Sequence, residues 1–393
     1  MLWGAPLPED LAPPAALEAL LARALAATPD NPMLHAKLGY LRYDRHDYDA
    51  AAGSLAEAMR LGGGTDEVRQ VLARCLNYRG CHREALATLA PVEGPIFERA
   101  RALLDTGAAP DAEVELRRLL EADPDNAQAC RLLCRLLRRS GRHVEMVALC
   151  ESLAARGAAN AQLLYNLGWG LALAGDPDGA RRWLPRPERI AAVDIAPPKG
   201  FGDLAAFNRA LAEEILGNPN RVTRFAEEDD ANRGSSRVDN LLTGRDPELI
   251  RLLIDLLQSA VSAYRPVPLG GPDPWAAARP AAARLRPWGL IQRGGEYEDG
   301  HVHPGGWLTG VYYARVPDAI ARSTTGAGCI EFGPPRTLAE AMPELAPPLR
   351  YVPREGMLLL SPSHYQHRTI PSGLEEYRIS VAFDVVPDRV PPP

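Results

Sequence analysis

Apolar residues recur along this chain at two different periods, and the change from one to the other divides it. From about residue 15 to residue 190 the hydrophobic and small residues return every third or fourth position, the spacing of one helix face. A longer repeat overlies this one. Leu38-Gly39 precede Ala51, Leu55 and Ala58, Leu72-Ala73 precede Ala85, and Ala51 to Ala85 is a step of 34 residues. Leu133-Cys134 and Leu167-Gly168 also stand 34 apart, and the second pair precedes Ala180 and Leu184. Self-similarity at this period predicts stacked helix pairs, each too small to bury its apolar face alone. About five units fit. The middle one is shortened, since Ala85 to Ala112 spans only 27, which implies a lost helical turn or a tightened loop. The stretches PDNP at 29–32 and DPDN at 123–126 fall at joints between units, where Asp or Asn can cap a helix and Pro can open one.

After Pro185 the helical phase is lost. PRPERIAAVDIAPPKGFGD is rich in proline and glycine and predicts a boundary near 185–200. Leu204 to Leu216 and Glu248 to Tyr264 are apolar at helical spacing, and they flank a polar stretch from Asn218 to Gly244 that reads as a loop over a site. From Trp288 onward the texture becomes short and β-rich: WGLIQ, WLTGVYYARV, GCIEFG, MLLLS and RISVAFDVV. The expected fold is multidomain, an α-helical array over 1–190, a linker with supporting helices over 191–280, and an antiparallel β core over 281–393.

The 34-residue pattern resembles the tetratricopeptide repeat, in which a small residue after a leucine lets one helix pack closely on an alanine of the next. The resemblance implies a superhelix whose concave groove holds a peptide or protein partner, the plainer alternative being an array that only dimerises or braces the rest of the chain.

Composition narrows the function classes. A hydrophobic content of 46% with 24% charged residues is ordinary for a globular protein, and no run reaches the ~20 apolar residues that cross a bilayer. The opening MLWGAPLPEDLAPP lacks a basic region followed by an apolar one, so a cytoplasmic address is expected. Six sparse cysteines fit reduced core positions rather than a disulfide framework, and Cys130 and Cys134, one helical turn apart, lack a second ligand pair for a metal. A net charge of −6 and a pI near 5.8 argue against a nucleic-acid surface. The arginine pairs and the acidic run Glu227 to Asp230 read as solvated faces and loop.

The sharpest chemistry lies in the last third, where four of the eight histidines cluster as His301-Val-His303 and His364-Tyr-Gln-His367. In an extended segment residues i and i+2 share a face, so the two imidazoles of an HxH can converge on one ion. A third ligand from a distant strand would complete a facial set and leave coordination positions open. A lone HxH is by itself better read as two unrelated surface or core histidines, and three histidines also suit zinc. Arg378 stands eleven residues after His367 and shares a strand face with Ser380. A forked guanidinium beside a hydroxyl is what the second carboxylate of a keto-diacid needs.

Residues 285 to 388 resemble the iron(II)/2-oxoglutarate-dependent dioxygenases, in the bacterial branch often joined to tetratricopeptide repeats. The residues that carry the resemblance are GGEYEDGHVHPGGWLTGVYYARVP, GCIEFGPPR and SPSHYQHRTIPSGLEEYRISVAFDV, with FGDLAAFNRAL upstream. It implies a double-stranded β-helix, or jelly roll, with His301, His303 and His367 as metal ligands and Arg378, Ser380 and Tyr313 around the 2-oxoglutarate carboxylate. Iron(II), 2-oxoglutarate and O2 are then the expected cofactors, and hydroxylation of a peptide or protein side chain presented by the repeats the expected reaction. One departure stands out: most of the superfamily carries Asp or Glu where this chain has His303. His364 sits fourteen residues before Arg378, outside the family interval, and reads as an outer donor or packing group. Trp307, Tyr297 and Trp288 are candidates for the pocket wall or for plain core. The alternatives are a small-molecule oxygenase, a cupin-like metal enzyme and a repeat scaffold without turnover. The cupin reading lacks its glutamate, since Trp307 and Leu308 stand there.

Overall fold

The computed structural model describes residues 1–4, 14–223, 231–239, 241, 242 and 248–388. The acidic run 227–230 and parts of the 218–244 stretch lie outside the described residues. Contacts divide the chain into two compact units, one covering the described residues up to 140 from residue 14, the other holding 1–4, 141–223 and the described residues from 231 on.

In the first unit the helices pack in successive pairs: Pro32–Asp44 on Tyr48–Arg60, Asp66–Tyr78 on His82–Leu89, and Phe97–Asp105 on Ala109–Ala122. The small residue expected in the first helix of a pair is needed sterically. A Cβ on Gly39 would stand 2.6 Å from Leu55 Cγ, so only a residue without a side chain lets these two helices meet. Leu55, Ala51, Ala85 and Ala112 are completely buried at such contacts. The shortened unit has lost helix rather than loop. His82–Leu89 and Phe97–Asp105 have 8 and 9 residues, where Pro32–Asp44 and Tyr48–Arg60 have 13 each.

The joints behave as capping chemistry requires. Asn31 accepts hydrogen bonds from the Met33 and Leu34 amides in front of Pro32, and Asn126 accepts one from the Ala129 amide. Each cap stabilises its helix by about 1 kcal/mol. Cys130 and Cys134 are buried on one face of the helix Ala127–Arg139 with their sulfurs 4.0 Å apart.

The second unit opens with the helices His143–Ala155, Ala161–Leu173 and Pro177–Arg181 and then becomes a jelly roll. Its larger sheet runs in the order Ala191–Asp194, Met357–Pro362, Leu308–Arg315, Arg378–Pro387, Ala282–Gln292, Ser236–Val238 and Arg221–Val222. Leu2–Trp3 adds a short parallel strand against Ala282 and Ala283. The smaller sheet contains Leu349–Tyr351, Ile330–Phe332 and His367–Thr369 in that order. Part of the polar 218–244 stretch is therefore strand, because Ser236 and Val238 turn to the core and pair with Ile291 and Gly289. The helix Leu204–Leu216 buries Phe207, Leu211 and Ile215 and packs on the 308–315 strand, where Tyr312 donates to Asn208 Oδ1 at 2.5 Å. The helix Glu248–Ala263 buries Ile250, Leu253, Leu257 and Val261. No helix among the described residues is long and apolar enough to cross a membrane.

Candidate metal centre

His301 and His303 follow a two-stranded piece in which Tyr297–Glu298 pairs with Asn232–Arg233. The backbones of His301 and His367 then exchange hydrogen bonds of 3.0 and 3.1 Å, which fixes the HxH segment against the start of the 367–369 strand. The His303 amide donates to Ser363 O at 3.0 Å. The chain turns away at Gly305-Gly306, and a Cβ on Gly306 would lie 2.8 Å from Ser363 Oγ and 3.3 Å from Asp384 Cβ. Glycine at 306 is thus what lets the turn close over the neighbouring strands.

The three rings come together in the structure. One nitrogen from each of His301, His303 and His367 lies within 4.8 Å of the other two. His303 Nε2 and His367 Nε2 are 3.2 Å apart. His301 Nδ1 faces the carbonyl oxygen of Asp299 at 2.7 Å, and His367 Nδ1 faces that of Tyr365 at 3.0 Å. A carbonyl only accepts, so the ring proton is assigned to Nδ1 in both, and each Nε2 is left with a lone pair. Lone pairs aimed at a common point repel one another unless an electrophile stands between them, which is the arrangement of a ligand set. Burial, followed by the neighbouring His303, pushes His301 down to about 3, and burial holds His367 well below the ordinary range, so both rings are neutral. The histidine-only donor set suits iron(II), copper or zinc and offers no hard oxygen ligand for magnesium or calcium.

A second group of unsatisfied atoms lies on the strands facing this site. Arg378 is buried, donates to Gly328 O at 2.8 Å and to Thr369 Oγ1 at 3.2 Å, and has no ion-pair partner among the described residues. Its Nε, the Ser380 hydroxyl, the Tyr313 hydroxyl and the Gln292 carbonyl oxygen are all buried without a hydrogen-bond partner. Register explains their proximity, since Arg378 is opposite Gln292 and Ser380 is opposite both Leu290 and Tyr313. The guanidinium carbon stands 5.6 Å from the Tyr313 ring centroid. Burial lowers the Arg378 pKa and raises that of Tyr313 to about 12, so a cation and a neutral hydroxyl wait side by side. A buried, uncompensated guanidinium with adjacent donors is a receptor for a carboxylate.

The remaining sequence candidates divide. Trp288 stacks on His303, centroids 5.6 Å apart at 23°, and belongs to the site. Trp307 stacks on Trp275 at 5.1 Å and the two indoles donate to each other's backbone carbonyls, so Trp307 is core. Tyr297 serves the short strand pair. His364 packs against Trp275 and Tyr365, is driven down to about 3 by burial, and takes no part in the three-ring cluster. Asp299 supplies its carbonyl, not its carboxylate, to His301. One neighbour went unread in the sequence: Asp384, whose Oδ1 is 2.9 Å from His303 Nδ1. The strand alternation that joins Arg378 to Ser380 reaches Ala382 and Asp384 two and four residues further on, and that signal was available.

Residues 286–384 match the protein family described as "Putative 2OG-Fe(II) oxygenase". Among solved structures the chain is similar to PilW, a type IV pilus biogenesis factor, at 18% identity and TM-score 0.38 over 43% of this chain and 82% of that one. It is similar to a prolyl hydroxylase from Trichoplax adhaerens solved with a hypoxia inducible factor peptide, at 12% identity and TM-score 0.36 over 51% and 84%. A Pseudomonas putida prolyl-4-hydroxylase gives 14% identity and TM-score 0.33 over 51% and 94%. No curated protein matches the sequence. The description of the matching family names 2-oxoglutarate and iron(II). The carboxy-terminal part of the chain, residues 286–384, thus matches a 2OG-Fe(II) oxygenase domain, and an array of paired helices precedes it.

Proposed function

We propose that His301, His303 and His367 hold the iron, that Arg378, Ser380 and Tyr313 grip the far carboxylate of 2-oxoglutarate, and that the enzyme hydroxylates a peptide or protein side chain presented by the repeat array. The observation that carries the co-substrate assignment is the buried Arg378, which has no ion-pair partner among the described residues and has two orphaned hydroxyls beside it. When bound, iron(II) and 2-oxoglutarate supply the activation of dioxygen, one oxygen atom entering a C–H bond and the other leaving in succinate, with release of carbon dioxide. The chain's residues bind and orient. Arg378 offers a fixed positive fork, Ser380 and Tyr313 add hydroxyl donors, and Trp288 and Leu290 form an apolar wall with Ala382 that keeps water from the site.

The repeats support the substrate class, because arrays of this kind present concave surfaces to extended chains. An assay of succinate release with iron(II), 2-oxoglutarate and a panel of peptides tests the proposal. Peptide-dependent succinate with a mass gain of one oxygen on the peptide is expected. Succinate formation that responds only to small molecules would replace the peptide with a small-molecule substrate.

A further inference from the structure

The ligand set proposed above is made of three histidines and no carboxylate, so the two positive charges of the metal meet no directly bound anion from the protein. A divalent cation buried in this way is costly to hold unless negative charge stands close behind a ligand. Asp384 is the residue placed to supply it. It lies on the strand face that also carries Arg378, Ser380 and Ala382, opposite Thr309 on one side and Arg286 on the other. Its Oδ1 is 2.9 Å from His303 Nδ1, the two side chains being 10% and 9% exposed, and that buried oxygen has no hydrogen-bond partner, so the contact is electrostatic. The neighbouring Arg286 is exposed and forms no ion pair with it among the described residues. His303 is held with Trp288 stacked on its ring and the Asp384 carboxylate at its Nδ1 edge.

The three histidines are therefore not equivalent. His301 and His367 lean on main-chain carbonyls, whereas His303 alone leans on a carboxylate. We infer that Asp384 is a positioning residue that restores, through the His303 ring, the negative charge a directly bound carboxylate would give at that ligand position. Its carboxylate, at the Nδ1 edge of the ring, places negative charge behind the ligand whose Nε2 faces His367. This rests on the reading of His301, His303 and His367 as the metal ligands.

The inference makes opposite demands on the two ligands of the site. Removing the charge at 384 weakens the hold on a cation but lessens the repulsion felt by a dianion. The test uses the full chain with Co(II) as the probe, followed by calorimetry and by the ligand-field absorption of the bound ion, and then by titration of 2-oxoglutarate into the Co(II)-saturated protein. Asp384→Asn is expected to lose about 10- to 100-fold in Co(II) affinity, with 2-oxoglutarate affinity of the loaded protein unchanged or raised. Asp384→Glu, which keeps the charge, is expected to hold Co(II) nearly as the parent does. A residue that only fills space would weaken both affinities together when changed. That result, or a Co(II) affinity unaltered in Asp384→Asn, overturns the inference. Asp384→Ser is read in the same way if the Asn variant does not fold by circular dichroism. If the parent takes up no Co(II), or if His367→Ala takes it up as the parent does, the ligand reading itself fails and the inference with it.

Discussion

Buried polar groups are treated in opposite ways in the repeat helices and on the inner face of the jelly roll. In the helices Glu98, 3% exposed, accepts from Arg74 Nε at 2.6 Å and from Asn77 at 3.2 Å, and the buried Glu115 accepts from Arg99 at 2.8 Å and from the Ile96 amide at 3.3 Å. On the jelly-roll face Arg378, Ser380 and Tyr313 keep buried polar atoms without partners, and the Nε2 atoms of His303 and His367 face each other at 3.2 Å. A matched buried charge specifies structure, and an unmatched one is paid for elsewhere in the fold because a ligand completes it. The contrast separates scaffold from site without reference to any relative.

Substitutions can break this contrast, and the largest effect is expected at the rings. His367→Ala removes a ligand outright, and its metal affinity should fall by more than the roughly 100-fold typical of losing an outer partner, as read by metal content after desalting. Next comes Arg378→Met, which removes the unmatched cation. It should weaken 2-oxoglutarate binding by about 2–5 kcal/mol by calorimetry while leaving the ligand-free protein as stable or more stable to heat, since the buried charge has gone. Glu98→Ala is the matched counterpart and should do the reverse in spirit: no change in 2-oxoglutarate affinity, but a loss of about 1–3 kcal/mol in stability to urea, because Arg74 and Asn77 are left unserved. Smallest is Asn31→Ala, expected to cost about 1 kcal/mol in the same denaturation measurement. If Arg378→Met destabilised the ligand-free protein as Glu98→Ala does, Arg378 would be scaffold and the contrast would collapse.

Much of this was legible along the chain, for a physical reason that differs between the two regions. The helix pairs repeat, so Gly39, Ala51 and Ala85 announce themselves by spacing, and the 27-residue step even marks where helix was lost. The site residues were legible because short motifs preserve their own geometry: HxH shares a strand face, and so do Arg378 and Ser380. What escaped depends on pairing between distant segments. Ala191–Asp194 sits in a proline-rich stretch that reads as linker and becomes a strand only because Met357–Pro362 offers it an edge. Leu2–Trp3 pairs with Ala282 and Ala283, far along the chain. Asp384 shares a face with Arg378, but its role appears only when the HPGG turn folds His303 onto the opposite end of that strand.

The central claim is that the unmatched groups on the inner face form one receptor for a metal and a keto-diacid. Calorimetric titration of 2-oxoglutarate into the full chain, with and without iron(II) under anaerobic conditions, tests it most directly. The account predicts one-to-one binding that requires the metal and is lost in Arg378→Met; 2-oxoglutarate binding that ignores the metal, or no binding in its presence, would contradict it.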